Sequence, residues 1–408
     1  MKTIFRSLTI GLILGTIIAL GAVAGFAQDP CTDADGQTTL GDKFRAEYPS
    51  KDIPGRRQAI GTGKQFLEKY GSCEPAKELS DYLKITIPKM EANLAKLVEQ
   101  EGKTKMMDRF NLAYNNAKNW DEVYPSGKDL LAKYPDEFRD IELALGSIGY
   151  DESFKSNFKY NDETLRYAKL SIADLEAGKT FSANFGVGPH FVYKSKDNAL
   201  GWMNLTIAYI TQVVQKNKKD AQPYFYKASQ LTSETKSNPI VYASMGSFYF
   251  DDVRNLVGEV DALIKTQNAT DTEEVAKQKV EAIKVKVAMV NGTAEAAIDA
   301  YTRAYNLAKA DTKTPKAYTD GLYKTMQDLY KVRFGKLDGF DAFIVNLVKK
   351  PLPNPTQPVA PIRDPEPAVK TTPTTPVKPP VTTPAKPAVT TPVKKPVSNK
   401  PVVKKKGA

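Results

Sequence analysis

The chain has 408 residues, 41% hydrophobic and 26% charged, with two cysteines and one histidine, enough for one large domain or two ordinary ones. Of the net charge of +11, +2 lies in residues 1–27 and +8 in residues 351–408, leaving +1 for residues 28–350. A nearly neutral body argues against a nucleic-acid partner, which would call for a basic face. Two cysteines and a distant histidine are too few for a zinc-type centre.

The N-terminus reads as an export signal. Lys2 and Arg6 precede a run rich in Leu, Ile, Gly and Ala from Leu8 to Ala24. Gly25 and Ala27 then supply the small residues that precede a cut before Gln28. This places the protein in the periplasm, the cell envelope or outside the cell. The alternative is an uncleaved anchor over Leu8–Ala27, just long enough to span a bilayer. In an exported chain Cys31 and Cys73 are expected to pair and to pin the N-terminal segment to the first helices. Two unpaired thiols are the alternative.

From about residue 38 to 348 the dominant period is helical. Candidate helices cover 55–70, 76–100, 104–118, 120–134, 137–148, 161–178, 198–216 and 221–232. Pro88 is expected to kink or split the second. Residues 179–196, "KTFSANFGVGPHFVYKSK", alternate aromatics around a Gly-Pro break and read as a loop or small hairpin between helices. Asn238-Pro239 opens a further helix. Asn291-Gly292 reads as a break, with Thr293 capping a helix whose face is Ala294, Ala297, Ile298, Tyr301, Ala304, Tyr305 and Ala308. Pro315 opens another, with Tyr318, Leu322, Met326 and Leu329 on one face.

One stretch, "KMMDRFNLAYNNAKNWDEVYPSGKDLLAKYPD", resembles the tetratricopeptide repeat, a 34-residue helix–turn–helix unit. Setting Pro135 on the family's closing proline puts Phe110 and Tyr114 on large positions of the first helix. Trp120 then opens the second helix and Leu131 takes its late apolar position. Val123 stands where the family has Ala, and Gly127 where an aromatic is common. A second, partial match, "NPIVYASMGSFYFDDV", places Tyr242, Met245, Gly246 and Tyr249 on a first-helix pattern. Gly258 falls at the small position of the helix expected to follow. The resemblance implies an all-α fold of irregular helical hairpins and a surface that binds protein or peptide. An unrelated helical bundle is the alternative.

From Pro351 the composition changes. Sixteen of the 27 prolines lie in residues 351–408, aromatics are absent, and residues 374–397 repeat one eight-residue phrase three times (TTPVKPPV, TTPAKPAV, TTPVKKPV). Such a segment is expected to form no core and to stay disordered. As polyproline II it would reach on the order of 180 Å.

No catalytic pattern emerges. His190 has no nucleophile motif beside it. Gly61–Lys64 ("GTGK") lacks the Gly and Ser/Thr of a phosphate loop, and Asp33–Gly36 ("DADG") breaks the calcium-loop spacing at Gly41 and Phe44. Asn204, Asn268 and Asn291 head Asn-x-Thr triplets, which are common by chance. The expectation is a non-enzymatic scaffold, without cofactor, that binds a protein or peptide and trails a basic tether. The alternative is an envelope structural protein whose tail binds anionic wall or membrane polymers.

Overall fold

A computed structural model describes residues 29–365, and twelve α-helices make up nearly all of their regular structure. The N-terminal stretch read as an export signal and the repeats at 374–397 lie outside the described residues. Among the described residues the only strands are β1 (Gly186–Val187) and β2 (Phe191–Val192), paired antiparallel, so the all-α expectation holds. The described residues divide into two compact units, with the boundary between Lys105 and Met106.

The first unit holds α1 (Ala34–Glu47), α2 (Ile53–Tyr70) and most of α3 (Lys77–Asn111). Asp33 caps α1 by accepting from the Gly36 N–H, and Asp52 caps α2 by accepting from Gly55. Phe44, Phe66, Tyr70, Leu83, Ile87 and Met90 form the core. Cys31 and Cys73 are joined, with Cα atoms 5.0 Å apart, tying the turn before α1 to the turn after α2. The Tyr70 hydroxyl donates to Asp33 at 2.6 Å, which with Lys69 lowers that carboxyl to about 2. The "DADG" aspartate is thus a helix cap, and Gly61–Lys64 is helix interior. Pro88 does not split its helix: α3 runs through it, because Leu83, Ile87 and Met90 bury around it and packing outweighs one missing backbone bond.

The second unit continues through a π-helical turn (Leu112–Ala117) into α4 (Trp120–Lys133), α5 (Asp140–Phe154) and α6 (Asn161–Glu176). After the β1–β2 hairpin come α7 (Lys196–Tyr209), a second π-helical turn (Ile210–Val214) and α8 (Lys218–Gln230). The long helices α9 (Pro239–Lys265) and α10 (Glu273–Ala310), then α11 (Lys316–Phe334) and α12 (Phe340–Leu347), complete it. From α4 to α11 each helix packs on the next, and α5 also meets α7, an arrangement compatible with a helical-repeat fold.

Three sequence expectations are corrected here. Asn291-Gly292 is no break: α10 runs unbroken through it, and the Thr293 hydroxyl donates to Met289 O within the helix instead of capping one. The turn expected before Gly258 is absent, because α9 extends to Lys265 and pairs along its length with α10. Composition starts a coreless tail at Pro351, yet Pro351–Asp364 forms a strap packed on α10, with Pro355 buried and Leu352 and Val359 against the main core. The strap has no aromatics of its own; the helices supply the apolar surface.

Candidate functional site

Two extended segments are seated on helices of the second unit, and the sequence-selected residues divide between them. The first is the insert, residues 179–196. Tyr114, at the π-helical turn, donates its hydroxyl to Val187 O at 2.6 Å and accepts from Phe191 N at 3.2 Å. Burial pushes that hydroxyl's pKa up, so it stays protonated. Phe110 stacks on Tyr114 with centroids 5.3 Å apart. Trp120 opens α4, donates its indole N–H to Glu152 at 3.1 Å, and packs its ring near Phe191 and His190. The His190 ring also lies 5.1 Å from Tyr114. Its Nε2 is buried without a partner, and desolvation aided by the Lys118 charge lowers its pKa. On α5, Asp140 accepts from the Ser182 and Gly186 N–H groups, both at 2.9 Å, and Ser147 bonds the Tyr193 hydroxyl. Leu131 is half-buried late in α4, and Pro135 follows two residues beyond that helix. Phe110, Tyr114 and Trp120 therefore come together, and the side-chain space at Gly127 is filled by Ile141, Leu145 and Phe110.

The second seated segment is the strap. The Ile362 N–H donates to Ala288 O at 2.8 Å, closing onto α10 by main chain alone. Asn291 donates its amide to Ile362 O at 3.1 Å. A Cβ at Gly292 would lie 2.1 Å from Ala360 O, so only glycine lets the strap come this close. Arg333, almost wholly buried, donates to Glu295 at 2.9 Å and grips both carboxylate oxygens of Asp364, at 3.0 and 2.8 Å. Arg363 pairs with Glu281. Tyr242, Gly246 and Tyr249 lie on α9, apart from the first cluster. Gly246 makes room for the Tyr301 ring, and Tyr249 is buried, so these residues fill the α9–α10 interior and line no surface.

Sequence reasoning missed a recurrence. Lys118-Asn119 and Pro125 reappear at the same spacing as Lys216-Asn217 and Pro223. Each π-helical turn leads to a lysine with positive φ, then an asparagine before the next helix, with proline inside that helix. Ala221, Phe225 and Ala228 of α8 are fully buried at the positions of Val123, Gly127 and Leu130. Comparing the segments around the two Lys-Asn pairs would have shown it.

Among the described residues no group of three or more His, Cys, Asp or Glu could hold a metal, and no helix is long and apolar enough to cross a membrane. Of the triplet asparagines, Asn204 and Asn291 are buried and Asn268 is exposed in the α9–α10 turn. No family model, curated protein or solved structure matches the chain.

Proposed function

We propose that this is an exported, non-enzymatic interaction protein of tetratricopeptide-like helical hairpins, holding a protein or peptide partner on its helical surface and trailing a basic proline-rich tether. The observation that carries the reading is the strap. The helical body already receives an extended proline-containing chain through main-chain bonds, a glycine-lined approach and a bidentate arginine. Those are general means of holding a peptide. The test is crosslinking and pull-down with the full chain and with a chain lacking residues 366–408, the strap retained. Partners kept by the shortened chain support the reading; loss of every partner with the tail defeats it.

A second reading, that the tail binds anionic envelope polymers, is favoured by charge. Because Arg363 and Asp364 offset each other, the +8 lies wholly beyond Pro365. Co-sedimentation of the tail peptide with purified wall material across a salt series tests it. No binding at low salt reduces the tail to a spacer.

A further inference from the structure

Beneath the root of the insert lies a group of ionisable side chains that the proposed function leaves unused. Glu142 of α5 is 5% exposed, and its Oε2 is buried with no hydrogen-bond partner. Arg139 and Asp140 flank it on its own helix. Asp174 and Tyr167 face it from α6, and Lys179 from the start of the insert. Arg139 is the tether: its Nε bonds Asp174 at 3.2 Å, its Nη1 bonds Thr180 O of the insert at 2.8 Å, and its Nη2 bonds Asp136. Lys179 bonds the other Asp174 oxygen at 2.8 Å. Two side-chain links to the root of the insert, through Arg139 and Lys179, therefore pass through a site that holds a second, unpartnered carboxyl.

We infer that Glu142 is a proton-operated release for the insert, which stays seated while this carboxyl is neutral and loosens as it ionises. An ionised Glu142 repels Asp174 and competes with it for Arg139 and Lys179, whose bonds fix Thr180 and the root of the insert. It also leaves a charge in a desolvated place, which opening relieves. The sign follows from linkage. Burial first, then Asp174, raise the Glu142 pKa from 4.5 to about 7. Seated chains thus hold a proton that open chains have lost between those values. Seating is strongest near and below pH 4.5, weakens as pH rises towards 7, and levels off above it. Loosening uncovers the face of α5 on which the hairpin rests.

The experiment is amide hydrogen exchange on the full chain between pH 5 and 7.5, corrected for intrinsic rates. The reporters are the Ser182 and Gly186 amides bonded to Asp140, with Met203 and Ile207 of α7 as references. Protection of the reporters is expected to fall about tenfold or more while the references hold. Glu142→Gln, a neutral isostere, should flatten that fall. A flat wild-type profile, an unchanged fall in Glu142→Gln, or an equal fall at the reference amides overturns the inference. A second measurement needs no variant: the Glu142 carboxyl carbon shift of the native chain should titrate with a midpoint above 6, and a midpoint near 4.5 overturns it equally.

Discussion

The insert and the strap are both extended chains resting on helices, but they are held by opposite means. The insert brings Phe185, Phe191 and Tyr193 and is bound mostly by helix side chains reaching its backbone: Tyr114, Asp140 and Arg139. The strap brings prolines and small aliphatics, and is bound where α10 exposes its own backbone at Ala288 and Gly292, with two ion pairs at its end, Asp364 on Arg333 and Arg363 on Glu281. An aromatic segment can dock almost anywhere that supplies partners for its polar groups. A proline-rich segment has few donors, so the receiving helix must thin itself to meet it. The insert thus depends on the side chains that reach its backbone, and the strap on how closely the receiving helix lets it approach.

Truncation after Lys350 tests this most severely. It uncovers the seats of Leu352, Pro355, Val359 and Ile362 and takes Asp364 from the buried Arg333, leaving it Glu295 alone, so a loss of about 3 kcal/mol or more is expected in denaturant unfolding. Gly292→Ala comes next and has a telling sign. In an uncovered helix interior the change would stabilise by about 1 kcal/mol. With Ala360 O 2.1 Å from the new Cβ, a loss of about 1–3 kcal/mol is expected instead. A gain would mean that the strap is not seated in solution.

On the insert side, Tyr114→Phe removes one hydroxyl that serves both Val187 O and Phe191 N. A loss of about 1–3 kcal/mol is expected, with faster amide exchange at Phe191. Exchange unchanged at Phe191 would show that ring packing alone holds the hairpin. Asp364→Asn should be milder. The Asp364 side chain is 57% exposed, so the loss should stay under about 1 kcal/mol and shrink as salt is added. A loss as large as that of Gly292→Ala would make the ion pair, and not the close approach, the main hold.

The difference between the two seats also explains what could be read from sequence. Helices announce themselves by period, and the hairpin corner at Tyr114 and Trp120 carried enough large residues to be recognised. The alternating aromatics of residues 179–196 marked the insert as something that packs. Gly292 was legible only as a break, because a glycine for close approach and a glycine for chain reversal look alike without the partner. Pro351–Asp364 has the composition of a solvated tail, and its partner lies some seventy residues upstream at Asn291. Glu142 was one carboxylate among 47 acidic residues; its burial arises from the α5–α6 packing and the insert together. Pro88 did not split its helix and the turn expected before Gly258 did not form, because tertiary contacts along α3 and α9 override local preference.

The smallest expected effect marks where the strap ends. Deleting residues 366–408 removes nine lysines and one glutamate but leaves Asp364 on Arg333 and Ile362 on Ala288. A proline- and lysine-rich segment without aromatics has little to add to a core, so the unfolding midpoint should match that of the full chain. Binding to anionic polymers should vanish with the same deletion, since nearly all the basic excess goes with it. A drop in the midpoint would place part of the seat beyond Pro365. It would mean that the proline-lysine repeats, or the stretch leading into them, also rest on the helices, and that the body grips more of the tether than its first turns.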